Sequence, residues 1–192
     1  MADQQINQKI TQALERISKA FRVLLWEESK QYQISPIQIQ ILIFCLNHDQ
    51  EMLKVSFFAK EFDLTKATIS DSVKVLVKKE LLEKIPDTYD SRSYMVKLTR
   101  KGKEIADKTS GFTKALNQSV DRLEEHEKGL FLQNLLGIIN HLNKTSVISL
   151  QRMCLTCYHY SKQGNSHHCG LLNKDLQSDE LQVDCPEHKP TE

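Results

Sequence analysis

Beyond residue 150 the chain carries Cys154, Cys157, Cys169 and Cys185 together with His159, His167, His168 and His188. From Cys154 to His188 the spacing is C-x2-C-x11-C-x15-C-x2-H. A C-x2-C pair lets two thiolates converge on one ion from a tight knuckle, and two thiolates from separated arms complete a tetrahedral Zn²⁺ site. The pattern predicts zinc held by Cys154, Cys157, Cys169 and Cys185, with His168 or His188 as alternate ligands. Four thiolates also suit an iron–sulfur cluster. A disulfide switch and a set of reduced, loosely packed thiols are the other readings. A closed four-ligand zinc site leaves no position for substrate, so the ion would be structural. The His-x-Glu and Pro-Cys-x-x-Cys signature of zinc deaminases does not occur, nor does H-E-x-x-H, and no enzyme activity is expected. Cys45 lies apart in the apolar run ILIFCLN. There a thiol is expected to be inert core.

These ligands sit at the end of a chain of 192 residues, 40% hydrophobic and 27% charged, with a formal net charge of +1. That length supports one full core and a small appendage. The charge balance points to no partner, so a nucleic-acid site would have to be a local patch. The start, MADQQINQKI, lacks a basic-then-apolar signal pattern. No apolar run approaches the roughly 18–20 residues of a membrane span. A soluble, cytoplasmic protein is expected, and in such a setting clustered cysteines are more often ligands than structural disulfides.

Helical spacing dominates what precedes the cysteines. Ile6, Ile10, Leu14, Ile17, Phe21 and Leu25 recur at steps of three and four, one face of a long helix over 4–30. Ser35-Pro36-Ile37-Gln38 reads as a capped start of a buried helix reaching about His48. After the extended Leu53–Val55, Ser56 can cap a brief helix from Phe57 to Phe62. Asp63-Leu64 make a turn, and Thr65 can cap a helix from Lys66 to about Glu80. Ile69, Val73, Leu76 and Val77 form its inward stripe. Lys66, Ser70 and Lys74 form the outward one, beside Ala67, Asp71 and Lys78. Leu82–Ile85 and Tyr94–Leu98 alternate like strands around the turn-rich PDTYDSRS. Thr99 then caps a long polar helix to about Arg122, and after a break at 123–125 an apolar helix runs to about Leu142. Two short helices joined by a tight turn and followed by a hairpin make a winged helix-turn-helix, whose second helix enters the DNA major groove.

Three stretches make this more specific: VSFFAKEFDLTKATIS, then LVKKELLEKIPDTYDSR, then VKLTRKG. In order and spacing they resemble the MarR family of bacterial transcription regulators, and with the flanking helices the resemblance spans about residues 5–150. It implies a mainly α fold with a small β-hairpin. Residues 1–34 and 99–150 would form a helical dimerisation region, and 35–98 a winged helix-turn-helix. Residues 151–192 would be an added cysteine-rich, zinc-binding tail. It further implies a homodimer on a near-palindromic double-stranded DNA operator, repressing nearby genes, with relief by a small-molecule effector or by oxidation.

Carried onto this sequence, Thr65, Lys66, Thr68, Ser70, Asp71 and Lys74 would face DNA. Lysines suit phosphates or guanine acceptors, and short polar groups approach base edges. Backbone amides at Thr68 can also meet a phosphate. Asp71 stands where many members carry a basic residue, although an aspartate can accept from a cytosine amino group. Asp90 and Arg92 match the family's Asp-x-Arg wing motif, with Arg92 expected in the minor groove and Asp90 bracing the wing. A winged-helix module for protein contact and a regulator that senses metal or redox state through the tail are the alternatives.

Overall fold

The computed structural model describes residues 2–86, 94–149, 151–164 and 166–191. Its helices are α1 (Ala2–Tyr32), α2 (Pro36–Asn47), α3 (Val55–Glu61), α4 (Lys66–Lys78), α5 (Arg100–Thr109), α6 (Lys114–Val120) and α7 (Glu125–Lys144). A two-stranded sheet, β1 (Leu82–Pro86) with β2 (Tyr94–Leu98), follows α4. A three-stranded antiparallel sheet, β3 (Tyr160–Gln163), β4 (Ser166–Cys169) and β5 (Lys174–Leu176), follows α7. The described residues divide into two compact units, 1–55 with 66–117 and 56–65 with 118–192.

In the first unit α2 is the centre, packed against α1, α4, α5 and β2. Gln38 Oε1 accepts the Ser35 amide at 2.9 Å, as the sequence predicts for the start of this helix. Ile39, Ile41, Leu42, Ile69, Val73, Leu76 and Val96 are almost fully buried, and each such side chain contributes roughly 1.5–3 kcal/mol relative to exposure. Cys45 lies in this core as predicted, 7% exposed, and burial pushes its thiol up to about 12. The strands pair Leu82 with Leu98 through Pro86 with Tyr94. A bridge from Lys54 to Met95 adds the extended piece expected after α2.

The LTRKG stretch has a local reason. Thr99 Oγ1 accepts the Gly102 amide at 3.0 Å and donates to Glu80 O at 2.7 Å. This docks the start of α5 on the end of α4. A Cβ on Gly102 would lie 1.9 Å from Leu81 O, so only glycine admits that approach.

Three expectations shift. Ser56 lies inside α3, which begins at Val55. The polar helix from Thr99 is interrupted by a 3₁₀ turn at Ser110–Thr113, giving α5 and α6. The segment after residue 150 has a sheet of its own and a real core. Leu136 of α7, Met153, Cys154 and Leu181 are buried together, with Leu132, Ile139, Leu155, Tyr160 and Leu176 against them. Helix α7 thus supplies one wall of this small core.

Candidate nucleic-acid interface and cysteine cluster

Helix α4 buries Ile69, Val73 and Leu76, and this orientation fixes what it shows outward. Thr65, Lys66, Thr68, Asp71 and Lys74 are exposed and Ser70 is half-buried. The predicted outward stripe is therefore present. Lys74 Nζ donates to Asp71 Oδ1 at 2.9 Å. That hydrogen bond, then the carboxylate's charge and a lesser influence of Tyr94, hold the Lys74 ammonium above its ordinary range. The pair is wide open to solvent, with side-chain exposures of 64% and 74%, so it adds little to stability. Its role is to offset one cation on this face.

On the hairpin Lys84 Nζ lies 4.1 Å from the centroid of the Tyr94 ring. Tyr94 is thus flanked by Lys84 and felt by Lys74, so one cation of α4 and one of the hairpin lie near the same ring. Sequence reasoning missed Lys84 and Tyr94; the strand alternation that puts Lys84 opposite Val96 was the available signal. Asp90 and Arg92 lie outside the described residues.

The cysteines come from three arms. Cys154 opens a 3₁₀ turn that ends at Cys157. Cys169 ends β4 opposite Tyr160, with the Gly170 amide donating to His159 O at 2.7 Å. Cys185 arrives on the last segment, where Cys157 bridges to Pro190. The Cys154 amide donates to Gln182 O at 3.0 Å, and the Cys185 amide to Arg152 O at 2.7 Å. Burial raises the Cys154 thiol pKa; the Gln182 amide, donating to Cys154 Sγ at 3.2 Å, lowers it; and Cys185, Cys169 and Cys157 raise it further. Cys154 therefore feels the other three sulfurs. Among the described residues no three His, Cys, Asp or Glu side chains are drawn into ligating distance as they stand. The donor set nonetheless fits a thiolate-bound metal. Four cysteines supply the thiolates such a site needs, the Cys154 sulfur already accepts an amide, and the chain arms are tied by backbone pairs. The alternate ligands are engaged elsewhere. His168 Nδ1 lies 2.8 Å from Asp175 Oδ1, and His188 Nε2 lies 3.0 Å from Thr156 Oγ1 and 3.1 Å from Thr156 O. His167, 3% exposed, is spanned by Tyr160 Oη at 2.6 Å and Gln133 Nε2 at 3.2 Å.

The order of α3, α4 and the β1–β2 hairpin is that of a winged helix-turn-helix. Residues 32–93 match the MarR family. Structures of MarR-type proteins share the fold. A DNA complex of S. aureus MepR is 23% identical, with 69% of this chain and 97% of that chain covered at a TM-score of 0.61. A MarR transcriptional regulator from Methanosarcina mazei Go1 is 18% identical over 73% and 99%, with a TM-score of 0.59. Streptococcus pneumoniae FabT in complex with DNA is 23% identical over 72% and 99%, with a TM-score of 0.58. No curated protein matches the chain.

The MarR-matched segment contains α2, α3, α4 and β1, and with them every DNA-facing residue expected from the sequence, Asp90 and Arg92 included, although those two lie outside the described residues. The cysteines lie outside that segment.

Proposed function

We propose that this chain is a homodimeric, MarR-type, sequence-specific DNA-binding transcription regulator that acts as a repressor and carries a structural zinc ion in its tail. The observation that carries the reading is the outward face of α4, with Lys66 and Lys74 exposed around half-buried Ser70, followed by a hairpin that carries Lys84 against Tyr94. On a duplex, Lys66 and Lys74 would neutralise phosphates. Ser70, short and half-buried, would meet a base edge. Arg92 would extend the surface into the minor groove, with Asp90 bracing it. Thr65 and Thr68 would contact the backbone at the start of α4. No effector is assigned.

The dimer is supported by apolar groups left bare on the long helices. Ile6, Ile10, Ile17 and Phe21 of α1 are 40–50% exposed, and Leu130, Phe131 and Ile138 of α7 are 39–58% exposed. Contiguous apolar stripes of this kind on a helix mark an interaction face, and we assign them to a second copy of the chain. Among the described residues no helix is long and apolar enough to cross a membrane, and the reading places the protein in the cytoplasm.

Zinc is assigned to Cys154, Cys157, Cys169 and Cys185, since four thiolates alone fill a tetrahedral site. Bound there, the ion would supply folding energy to a small sheet with one shared core wall. About one zinc per chain in a colourless sample supports this, whereas a brown sample would replace zinc by an iron–sulfur cluster.

The DNA assignment is tested by selecting duplexes from a randomised library and measuring affinity against salt. A steep salt dependence is expected. Lys66→Ala and Lys74→Ala should each weaken binding across sequences and reduce the slope by about one. If no duplex is enriched, or affinity ignores salt, the reading fails. A reporter placed behind the enriched duplex should lose expression when the chain is supplied; increased expression would make it an activator.

A further inference from the structure

We propose that the metal-loaded tail is a strut for the first helix of the helix-turn-helix, so that metal occupancy at the four cysteines sets DNA affinity through Arg152 and Ser149. The inference rests on the DNA-binding and metal readings above and adds the regulation that connects them.

The unit boundaries raise the question. Residues 56–65, which hold most of α3 and the turn before α4, form one compact unit with 118–192. The contacts answer it. Ser149 Oγ donates to Lys60 O at 2.6 Å and the Ser149 amide donates to Asp63 Oδ1 at 3.0 Å. Lys60 O is one of the last carbonyls of α3, where the Asp63 amide also donates to it at 3.3 Å. Asp63 holds the left-handed conformation, φ 49°, and the Leu64 amide donates back to Ala59 O at 3.0 Å. A residue from the far end of the chain thus finishes the end of α3 and pins the residue on which the chain turns.

The second contact leads to the cysteines. The Arg152 guanidinium carbon lies 5.7 Å from the centroid of the Phe57 ring on α3, within cation–π range. Arg152 also pairs with Asp184, and its side chain is only 13% exposed, so solvent screens it weakly. Arg152 lies two residues before Cys154, and Asp184 directly precedes Cys185. The amide bonds Cys154 to Gln182 and Cys185 to Arg152 run between the same two segments. Drawing Cys154 and Cys185 onto one ion therefore clamps the segments that hold Arg152 on Phe57. Without the ion, the two segments are held together only by their amide bonds and the small core, and the sheet loses a fastener. Arg152 then leaves the ring and Ser149 leaves the turn. A helix held beforehand spares the complex the cost of ordering it on DNA. The loaded tail therefore favours binding.

The test uses the full chain, loaded with Zn²⁺, stripped with a chelator, and reloaded. Amide exchange at Phe62, Asp63 and Leu64 should quicken on stripping and recover on reloading, while the amides of α4 stay protected. Affinity for a library-enriched duplex should fall at least about ten-fold when stripped, equivalent to 1.4 kcal/mol. The double variant Ser149→Ala with Phe57→Leu should keep its zinc and its thermal transition. It should bind the duplex about as weakly as the stripped protein and lose little more on stripping. Exchange at 62–64 that ignores the metal overturns the proposal, as does a double variant with full, metal-dependent affinity. Failure of every duplex to bind would instead overturn the DNA-binding reading, and the exchange measurement would still decide whether the tail holds α3.

Discussion

At the scale of single residues, two side chains carry measurable consequences. Asp71 offsets Lys74 on the surface assigned to DNA. Asp71→Asn should free the lysine and strengthen binding to arbitrary duplexes by several-fold, with a steeper salt slope. Weaker binding confined to the selected duplex would show instead that Asp71 reads a cytosine. Cys45 gives a pH signature. Its folded value, about 12, lies above the ordinary 9.0. The folded protein keeps the proton longer than the unfolded chain, so this contribution to stability is complete below pH 9. It is lost as pH rises from about 9 to about 12, at up to about 1.4 kcal/mol per pH unit. Denaturant midpoints across that range should decline less steeply in Cys45→Ala. In native protein at pH 8, alkylation should spare Cys45, and extensive labelling there would contradict the burial argument.

At the scale of elements, the joint between α4 and α5 is the most demanding. Gly102→Ala places a Cβ 1.9 Å from Leu81 O and should cost about 2 kcal/mol or more, read as a lowered urea midpoint. An unchanged midpoint would mean that α5 slides without penalty. This joint also shows what could be read in advance. Thr99 as a cap and the β1–β2 hairpin followed from residue types and spacing, because caps and alternation are local. So did the inward stripe of α4. The close approach behind Gly102 did not, because it depends on where Leu81 is carried by another element. The interruption at Ser110–Thr113 was hidden for a similar reason: Phe112 meets the Phe21 ring at 6.4 Å, a tertiary contact with no local signal. The cysteines announced ligand chemistry by spacing. Their sheet and the burial of Met153 against Leu136 did not announce themselves, since Leu132, Leu136 and Ile139 of that core are written in α7.

At the scale of the whole molecule, the bare stripes decide the assembly. Ile10→Glu combined with Ile17→Glu would place charge in the face assigned to a second copy. Sedimentation should then report a species of one chain's mass in place of two, with loss of DNA affinity because paired half-sites need paired chains. A dimer undisturbed by both changes would move the interface elsewhere.

Leu136 touches on how such a chain could have come about. Its side chain is fully enclosed and shares its cluster with Met153, Cys154 and Leu181. The cysteine-bearing segment is therefore no cassette that can be stitched behind any winged helix or clipped off cleanly. A product ending near residue 150 would leave Leu132, Leu136 and Ile139 wet on α7 and would be prone to aggregate. Grafting residues 151–192 onto a foreign scaffold would require those three positions to travel with them.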